Sequence, residues 1–123
     1  MKTLQDAFNK AYLHLLKQNS TSMYVDEAGI MGCAYRGDAG NQCGIGCLIE
    51  DTEYSPSLEG RSAANPAVLR AIHSSGYPAD YLSAVFYLTI QDMHDEVEPQ
   101  KWPSCLSEIA HKAGLTVPEL PSA

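Results

Sequence analysis

The apolar residues near the start of the chain recur every three or four positions, which is the spacing of one face of an α-helix. Thr3 and Asp6 have the spacing of a capping box, in which each side chain accepts a backbone N–H group near the helix start. The pattern predicts an amphipathic helix over about residues 4–18. Its apolar stripe consists of Leu4, Ala7, Phe8, Ala11, Tyr12, Leu15 and Leu16.

Two dipeptides that end in proline mark further helical starts in the middle of the chain. Ser55-Pro56 predicts a single helical turn, with serine as the cap and proline in the first helical position. Asn65-Pro66 repeats this signal and predicts a helix through about His73.

Two longer helices are predicted in the last third of the chain. One runs from Pro78 to about His94, and the other runs from Lys101 or Trp102 to Ala113, where Gly114 provides a left-handed cap. Trp102 and Cys105 are expected in the core. The expected inner face of the first of these helices is Leu82, Val85, Phe86, Thr89 and Met93.

The stretch between the first helix and the proline-marked turn has the pattern of a β-hairpin. Two apolar runs flank the turn-forming sequence Gly37-Asp38-Ala39-Gly40-Asn41. A symmetric pairing places Cys33 opposite Cys43. The sequence therefore predicts a mainly helical α+β fold in a single domain, residues 1–123, with about four helices, a hairpin at about 30–49 and a loose tail at 116–123.

The charge balance limits the classes of partner. The 123 residues carry a net charge of −7, which disfavours nonspecific nucleic-acid binding because phosphate contacts need clustered Lys and Arg. An acidic inhibitor that mimics nucleic acid stays open as an alternative. Without a long apolar run or a secretory pattern, we expect a cytoplasmic protein that engages no membrane.

Three cysteines in the predicted hairpin are candidates for thiol chemistry. Cys43 and Cys47 have a spacing that zinc sites use, but Cys33 stands alone and no nearby histidine completes a ligand set. Cys33 and Cys43 could form a redox pair across the hairpin. Packing of small buried thiols is the favoured interpretation, and neither a metal nor a cofactor is predicted.

A thiol-dependent enzyme is the main catalytic alternative. It would use Cys33 or Cys43 as nucleophile, with His94 and Asp95 supplying the base and its orienting group. Neighbouring residues on a helix point in different directions, which counts against His94 and Asp95 acting together.

Recognition is the favoured role for the segment around the turn. Tyr35, Arg36 and Gly37 lie beside the glycine-rich backbone of Gly44 and Gly46, whose N–H groups could face an anion. Those glycines can also mark close approach of another backbone. In the simpler interpretation, Arg36 pairs with an acidic neighbour such as Glu50, Asp51 or Glu59.

The adjoining turn extends this candidate surface. Tyr54 and Glu59 lie at its two ends and are the remaining candidate binding residues. The pair Gly44 and Gly46 lacks the third glycine and the βαβ setting of a dinucleotide-binding fingerprint.

A pattern along nearly the whole chain resembles a group of small uncharacterised proteins of bacteria and their phages. Cys47 and the turn at Asn41-Gln42 depart from that pattern. The resemblance implies a phage or mobile-element setting and no particular chemistry. The residues that carry it are Cys-x-Tyr-Arg-Gly from Cys33, Cys-x-Ile-Gly-x-Leu-Ile from Cys43, Tyr54, Glu59-Gly60, His94-Asp95 and Trp102.

Together these features favour a non-enzymatic binding protein of phage type. It would engage a host protein, or sequester a small anionic ligand, through the hairpin and the adjoining turn. The thiol enzyme and the acidic inhibitor are its alternatives.

Overall fold

Helices dominate the described part of the chain. The computed structural model describes residues 2–19, 22–25, 31–37 and 40–118, without the side chains of 23–25 and 31–33. Short 3-10 helices occur at Gly46–Leu48, Pro56–Leu58 and Pro99–Lys101. The main elements are α1 (Leu4–Gln18), β1 (Met23–Val25), β2 (Met31–Cys33), α2 (Pro66–Ser74), α3 (Tyr81–Glu96) and α4 (Trp102–Lys112).

The predicted helix starts are confirmed where side-chain caps define them. Thr3 and Asp6 form the capping box at the start of α1. The Asn65 side chain accepts the Ala67 N–H at the start of α2. The Ser55 side chain accepts the Ser57 N–H at the proline-marked turn, which is a 3-10 helix. These starts depend on local hydrogen bonding, so the sequence alone predicts them.

The end of α4 also follows its local signal. Gly114 has a φ of +71°, and the Leu115 N–H donates to the Ala110 carbonyl at 2.8 Å. This is the left-handed cap expected after Ala113. Beyond it, the Thr116 N–H donates to the Gln5 side chain at 2.9 Å, which ties the start of the predicted tail to α1. Residues 119–123 of that tail lie outside the described residues.

The predicted hairpin at residues 30–49 is wrong, and with it the α+β class. Cys33 pairs with Met23 in the β1–β2 ribbon, not with Cys43. Residues 43–49 instead form a turn and the 3-10 helix Gly46–Leu48. The framework is all-helical, and the three-residue strands β1 and β2 form the only sheet in the described ranges.

Burial on every side explains why the second hairpin strand does not form. A strand directs alternate residues to opposite faces, so one face of an edge hairpin stays open to solvent. Here consecutive residues from Cys43 to Ile49 are all buried. A compact turn packed against α1 covers all of them. α1 also fixes the start of this segment, because His14 contacts the Gln42 carbonyl at 2.9 Å.

The inner face predicted for α3 is wrong at three positions. Leu82, Val85 and Thr89 are exposed, whereas Phe86 and Met93 are buried as expected. The helix turns a neighbouring stripe inward. That stripe includes Ala84, Phe86, Tyr87, Ile90 and Met93.

The core lies between α1, α3 and α4. Trp102 is fully buried, as predicted, and its ring N–H donates to the Val97 carbonyl at 2.9 Å. Cys105, which was expected in the core, is only half-buried. None of the helices in the described ranges is long and apolar enough to cross a membrane.

Candidate functional site

A cleft of about 410 Å³ brings together side chains from four separate segments. Several residues predicted as binding or catalytic candidates lie in its wall. They are joined by residues that sequence reasoning did not single out. The lining consists of Ala34, Tyr35, Cys43, Glu59, Gly60, Arg61, Ser62, Gln91 and Asp95.

Tyr35 forms a rigid wall of the cleft. Its hydroxyl donates to the Arg61 carbonyl and accepts the Gln91 side-chain amide at 3.1 Å. Gln91 in turn accepts the Ala63 N–H at 2.8 Å, so α3 and the 61–63 segment are joined through one side chain. Burial raises the pKa of Tyr35, which keeps the hydroxyl protonated at neutral pH.

The Glu59 carboxylate accepts backbone N–H groups of the segment predicted to act in recognition. Its Oε1 accepts the Tyr35 N–H at 2.8 Å, and its Oε2 accepts the Arg36 N–H at 3.1 Å. The Tyr54 hydroxyl donates to the same Oε2 at 2.7 Å. The predicted binding residues Tyr35, Arg36, Tyr54 and Glu59 are therefore brought together, but they bind one another.

Arg36 is held by internal contacts and does not line the cleft. Its guanidinium carbon lies 4.3 Å from the centre of the Tyr54 ring. One terminal nitrogen donates to the Ile49 carbonyl at 3.1 Å and contacts the Asp51 carboxylate at 2.8 Å. The expected pairing of Arg36 with an acidic neighbour is confirmed, with Asp51 as the partner.

The three predicted glycines lie outside the cleft lining. The Gly37 N–H donates to the Asn41 carbonyl at 2.8 Å. A β-carbon on Gly44 would come within 2.9 Å of the Ile90 side chain, and Gly46 lies against the Tyr35 backbone. The alternative interpretation, close approach of another backbone, is confirmed for Gly46, whereas Gly44 faces side chains.

The thiols near the cleft are in an environment that keeps them protonated. Cys43 is buried, and its sulfur accepts the Gly46 N–H at 3.2 Å. Burial, reinforced by the Asp95 and Glu59 carboxylates, raises the pKa of Cys43 to about 12. Burial raises the pKa of Cys47 as well. Since the thiolate is the reactive form, this environment opposes nucleophilic chemistry.

The cysteines whose side chains are described show no arrangement typical of a metal site. The Cys33 side chain lies outside the described residues, so its predicted redox pairing with Cys43 rests on the sequence alone. Among the side chains that are described, no three His, Cys, Asp or Glu residues form a group that could hold a metal ion.

His94 is buried behind the cleft and positions Asp95. Its Nε2 accepts the Ser22 N–H at 3.0 Å. A backbone N–H can only donate, so Nε2 is unprotonated and Nδ1 carries the hydrogen that goes to Asp95 Oδ1 at 2.8 Å. The ring also stacks on Trp102, with ring centres 5.5 Å apart. With both nitrogens engaged, His94 is not a free base for Cys43.

Asp95 and Arg61 are the charged groups through which the cleft can contact a ligand. The Asp95 side chain is 34% exposed, and one of its oxygens is held by His94. Arg61 is exposed and donates through Nε to the Ser57 carbonyl at 2.9 Å, which leaves its terminal nitrogens at the mouth. The arrangement can bind a polar molecule with a donor group at one end and an acceptor at the other.

Sequence reasoning missed Gln91, Arg61 and Ser62 as cleft residues. The signal that could have found Gln91 is its position four residues before Asp95, which places both on one face of α3. No comparable local signal exists for Arg61 and Ser62, which reach the cleft through a loop. No protein-family model, curated protein or solved structure matches this chain.

Proposed function

We propose that the protein is a non-enzymatic binding protein that captures a small polar ligand in the cleft lined by Tyr35 and Asp95. The ligand carries a cationic or hydrogen-bond-donating group that binds Asp95. One observation carries this proposal: Asp95 lines the cleft in an orientation fixed by the buried His94 ring. A polar group that is already fixed loses little freedom on binding, which favours affinity.

The walls of the cleft support ligand capture. Tyr35 and Gln91 are locked by hydrogen bonds to the opposite segment, so the cavity exists without a ligand. A volume of about 410 Å³ is within the range of small-molecule sites. Fixed walls of this kind suit recognition of a defined shape.

The charges favour a donor group over an anion at the inner end of the cleft. Glu59 has its charge spread over three internal donors, and Asp95 shares one oxygen with His94. Among the described residues, no partner bonds the second oxygen of Asp95. Of the glycine N–H groups expected to face an anion, that of Gly46 donates to the Cys43 sulfur instead.

Anion capture is a second candidate because Arg61 is the one cation in the described lining. A small anionic ligand would then bind at the mouth, beside Arg61, rather than on the N–H groups of Gly44 and Gly46. The sequence resemblance adds the proposal that the protein is encoded by a phage or mobile element. In that setting it would act in the cytoplasm of the bacterial host.

A thermal-shift screen with amines, amino acids and carboxylates or phosphates tests the proposal. We expect amines or amino acids to stabilise the wild type. D95N should weaken their binding about tenfold or more, because a hydrogen bond to a charged group contributes about 2 kcal/mol. Asn keeps an acceptor for His94. D92N, on an exposed turn of α3, is the matched control.

The opposite charge dependence would overturn this assignment. Anion capture would be supported instead if only anions stabilise the wild type and this effect is lost in R61Q. D95N and the surface control R70Q should then retain it. If compounds of neither class stabilise the wild type, the cleft is not a small-ligand site.

A further inference from the structure

α3 carries a second apolar stripe that is largely exposed in the described part of the chain. Tyr81 is 80% exposed, Leu82 is 73% exposed and Val85 is 46% exposed. These three residues lie within the first two turns of the helix. They form a protruding apolar edge, and exposed groups of this kind mark interaction sites more often than isolated apolar residues do.

An apolar groove runs directly beside this edge. It has a volume of about 580 Å³ and lies between α3, α4 and the start of α1. Val85 and Phe86 form one side, while Cys105 and Ile109 form the other. Leu82 also lines the groove, so the protruding edge and the groove are parts of one continuous surface.

The charges on this surface are balanced, in contrast to the rest of the chain. Glu108 and Lys112 are the only charged residues in the described lining of the groove, and they form an ion pair at 3.2 Å. The whole chain carries a net charge of −7. The groove is therefore a neutral area through which two acidic molecules can approach with little repulsion.

We propose that this face is the interface of a symmetric homodimer. A two-fold axis places the same patch of both copies in contact, so the patch must complement itself. Here an exposed apolar edge and an apolar groove occupy one face. Leu82 of each copy enters the groove of the other, and Glu108 of each copy pairs with Lys112 of the other. This interface is independent of the ligand proposed for the cleft.

Charge complementarity favours a second copy over an unrelated helix. A Glu and a Lys one turn apart on the same helix become two matched pairs when that helix meets itself in antiparallel orientation. Both side chains are largely exposed and can turn toward a partner without disturbing the core.

Sedimentation equilibrium of the full chain tests the dimer over about 1–200 µM, which covers micromolar dissociation constants. We expect the wild type to dimerise and L82D to raise the dissociation constant at least about tenfold, because a charge would be buried in the apolar groove. L13D, at an exposed apolar position on α1, is the matched control and should dimerise normally.

A charge-swap experiment tests the predicted pairing itself. E108K and K112E should each weaken the dimer, because like charges then meet across the axis. An equimolar mixture of the two variants should recover dimerisation, since every pair is again opposite in charge. These substitutions are on the surface, so this test remains available if circular dichroism shows that L82D is misfolded.

Several outcomes would overturn the proposal. A wild type that stays monomeric throughout the concentration range excludes the homodimer. A dimer that is unaffected by L82D uses a different surface. Failure of the mixed variants to recover dimerisation shows that Glu108 and Lys112 do not pair across the axis.

Discussion

The backbone of Tyr35 passes so close to Gly46 that no side chain fits between them. A β-carbon built on Gly46 would lie 2.0 Å from the Tyr35 carbonyl oxygen and 2.9 Å from its α-carbon. The contact joins the 3-10 helix Gly46–Leu48 to the wall of the cleft. Tyr35 is thus positioned from behind by the glycine-rich segment as well as by Glu59.

The first prediction concerns this contact. G46A should destabilise the fold by about 3 kcal/mol or more, because the clash is with backbone that cannot rotate away. Urea unfolding measures the change. G114A is the control. Gly114 is left-handed and an added β-carbon has no neighbour within 4 Å, so backbone strain should lower the free energy of unfolding by only about 1–2 kcal/mol. Equal losses in the two variants would show that the Tyr35 contact is not restrictive.

The second prediction concerns the carboxylate of Glu59. E59A leaves the N–H groups of Tyr35 and Arg36 and the Tyr54 hydroxyl without their acceptor, and should cost about 3 kcal/mol of unfolding free energy. Formate or acetate should restore part of this stability by entering the vacated place.

A matched comparison shows whether the rescue is specific. E53A removes an exposed carboxylate nearby, and should change stability by no more than about 0.5 kcal/mol. If acetate stabilises E53A as much as E59A, the N–H groups do not form an anion cradle.

The helices could be predicted because their signals are local. A capping box at Thr3, the Asn65-Pro66 pair and Gly114 each satisfy nearby backbone groups, and such hydrogen bonds hardly depend on the rest of the fold. Pro78, a common first residue of a helix, predicts a start of α3 that is three residues too early. The helix begins at Tyr81, after Asp80.

The hairpin and the inner face of α3 could not be predicted because both depend on tertiary packing. A short apolar run such as 43–49 has no period that separates a strand from a buried turn. Likewise α3 has two apolar stripes, one through Leu82 and one through Tyr87. Periodicity shows that both exist, but only the position of α4 decides which is buried.

The cleft depends on contacts between distant parts of the chain. The Tyr35 hydroxyl meets the Arg61 carbonyl across 26 residues, and Gln91 meets the Ala63 N–H across 28. The sequence identified Tyr35, Glu59, Cys43 and Asp95 as candidates. It could not show that Glu59 would accept the N–H groups of Tyr35 and Arg36.

The third prediction concerns thiol reactivity. Cys43 and Cys47 both lie in the tryptic peptide 37–61. At about pH 8, iodoacetamide should modify them in the native protein on the order of 100-fold more slowly than in urea. Burial hides both thiols and keeps them protonated. Cys105, which is half-buried, should react faster in the native state. Mass spectrometry of the peptides measures the rates. Rapid modification of Cys43 would revive the thiol-enzyme alternative.

The fourth prediction concerns alkaline pH. Burial raises the pKa of Cys43 from an ordinary value of 9.0 to about 12, so the unfolded chain loses this proton first as the pH rises. The native state then binds more protons, and stability should fall above about pH 9 by up to about 1.4 kcal/mol per pH unit from Cys43 alone. Urea unfolding between about pH 7 and pH 10.5 measures the slope. C43A should reduce this slope. C105A, which also removes one thiol, is the matched control. An unchanged slope in C43A would show that Cys43 is not the group responsible.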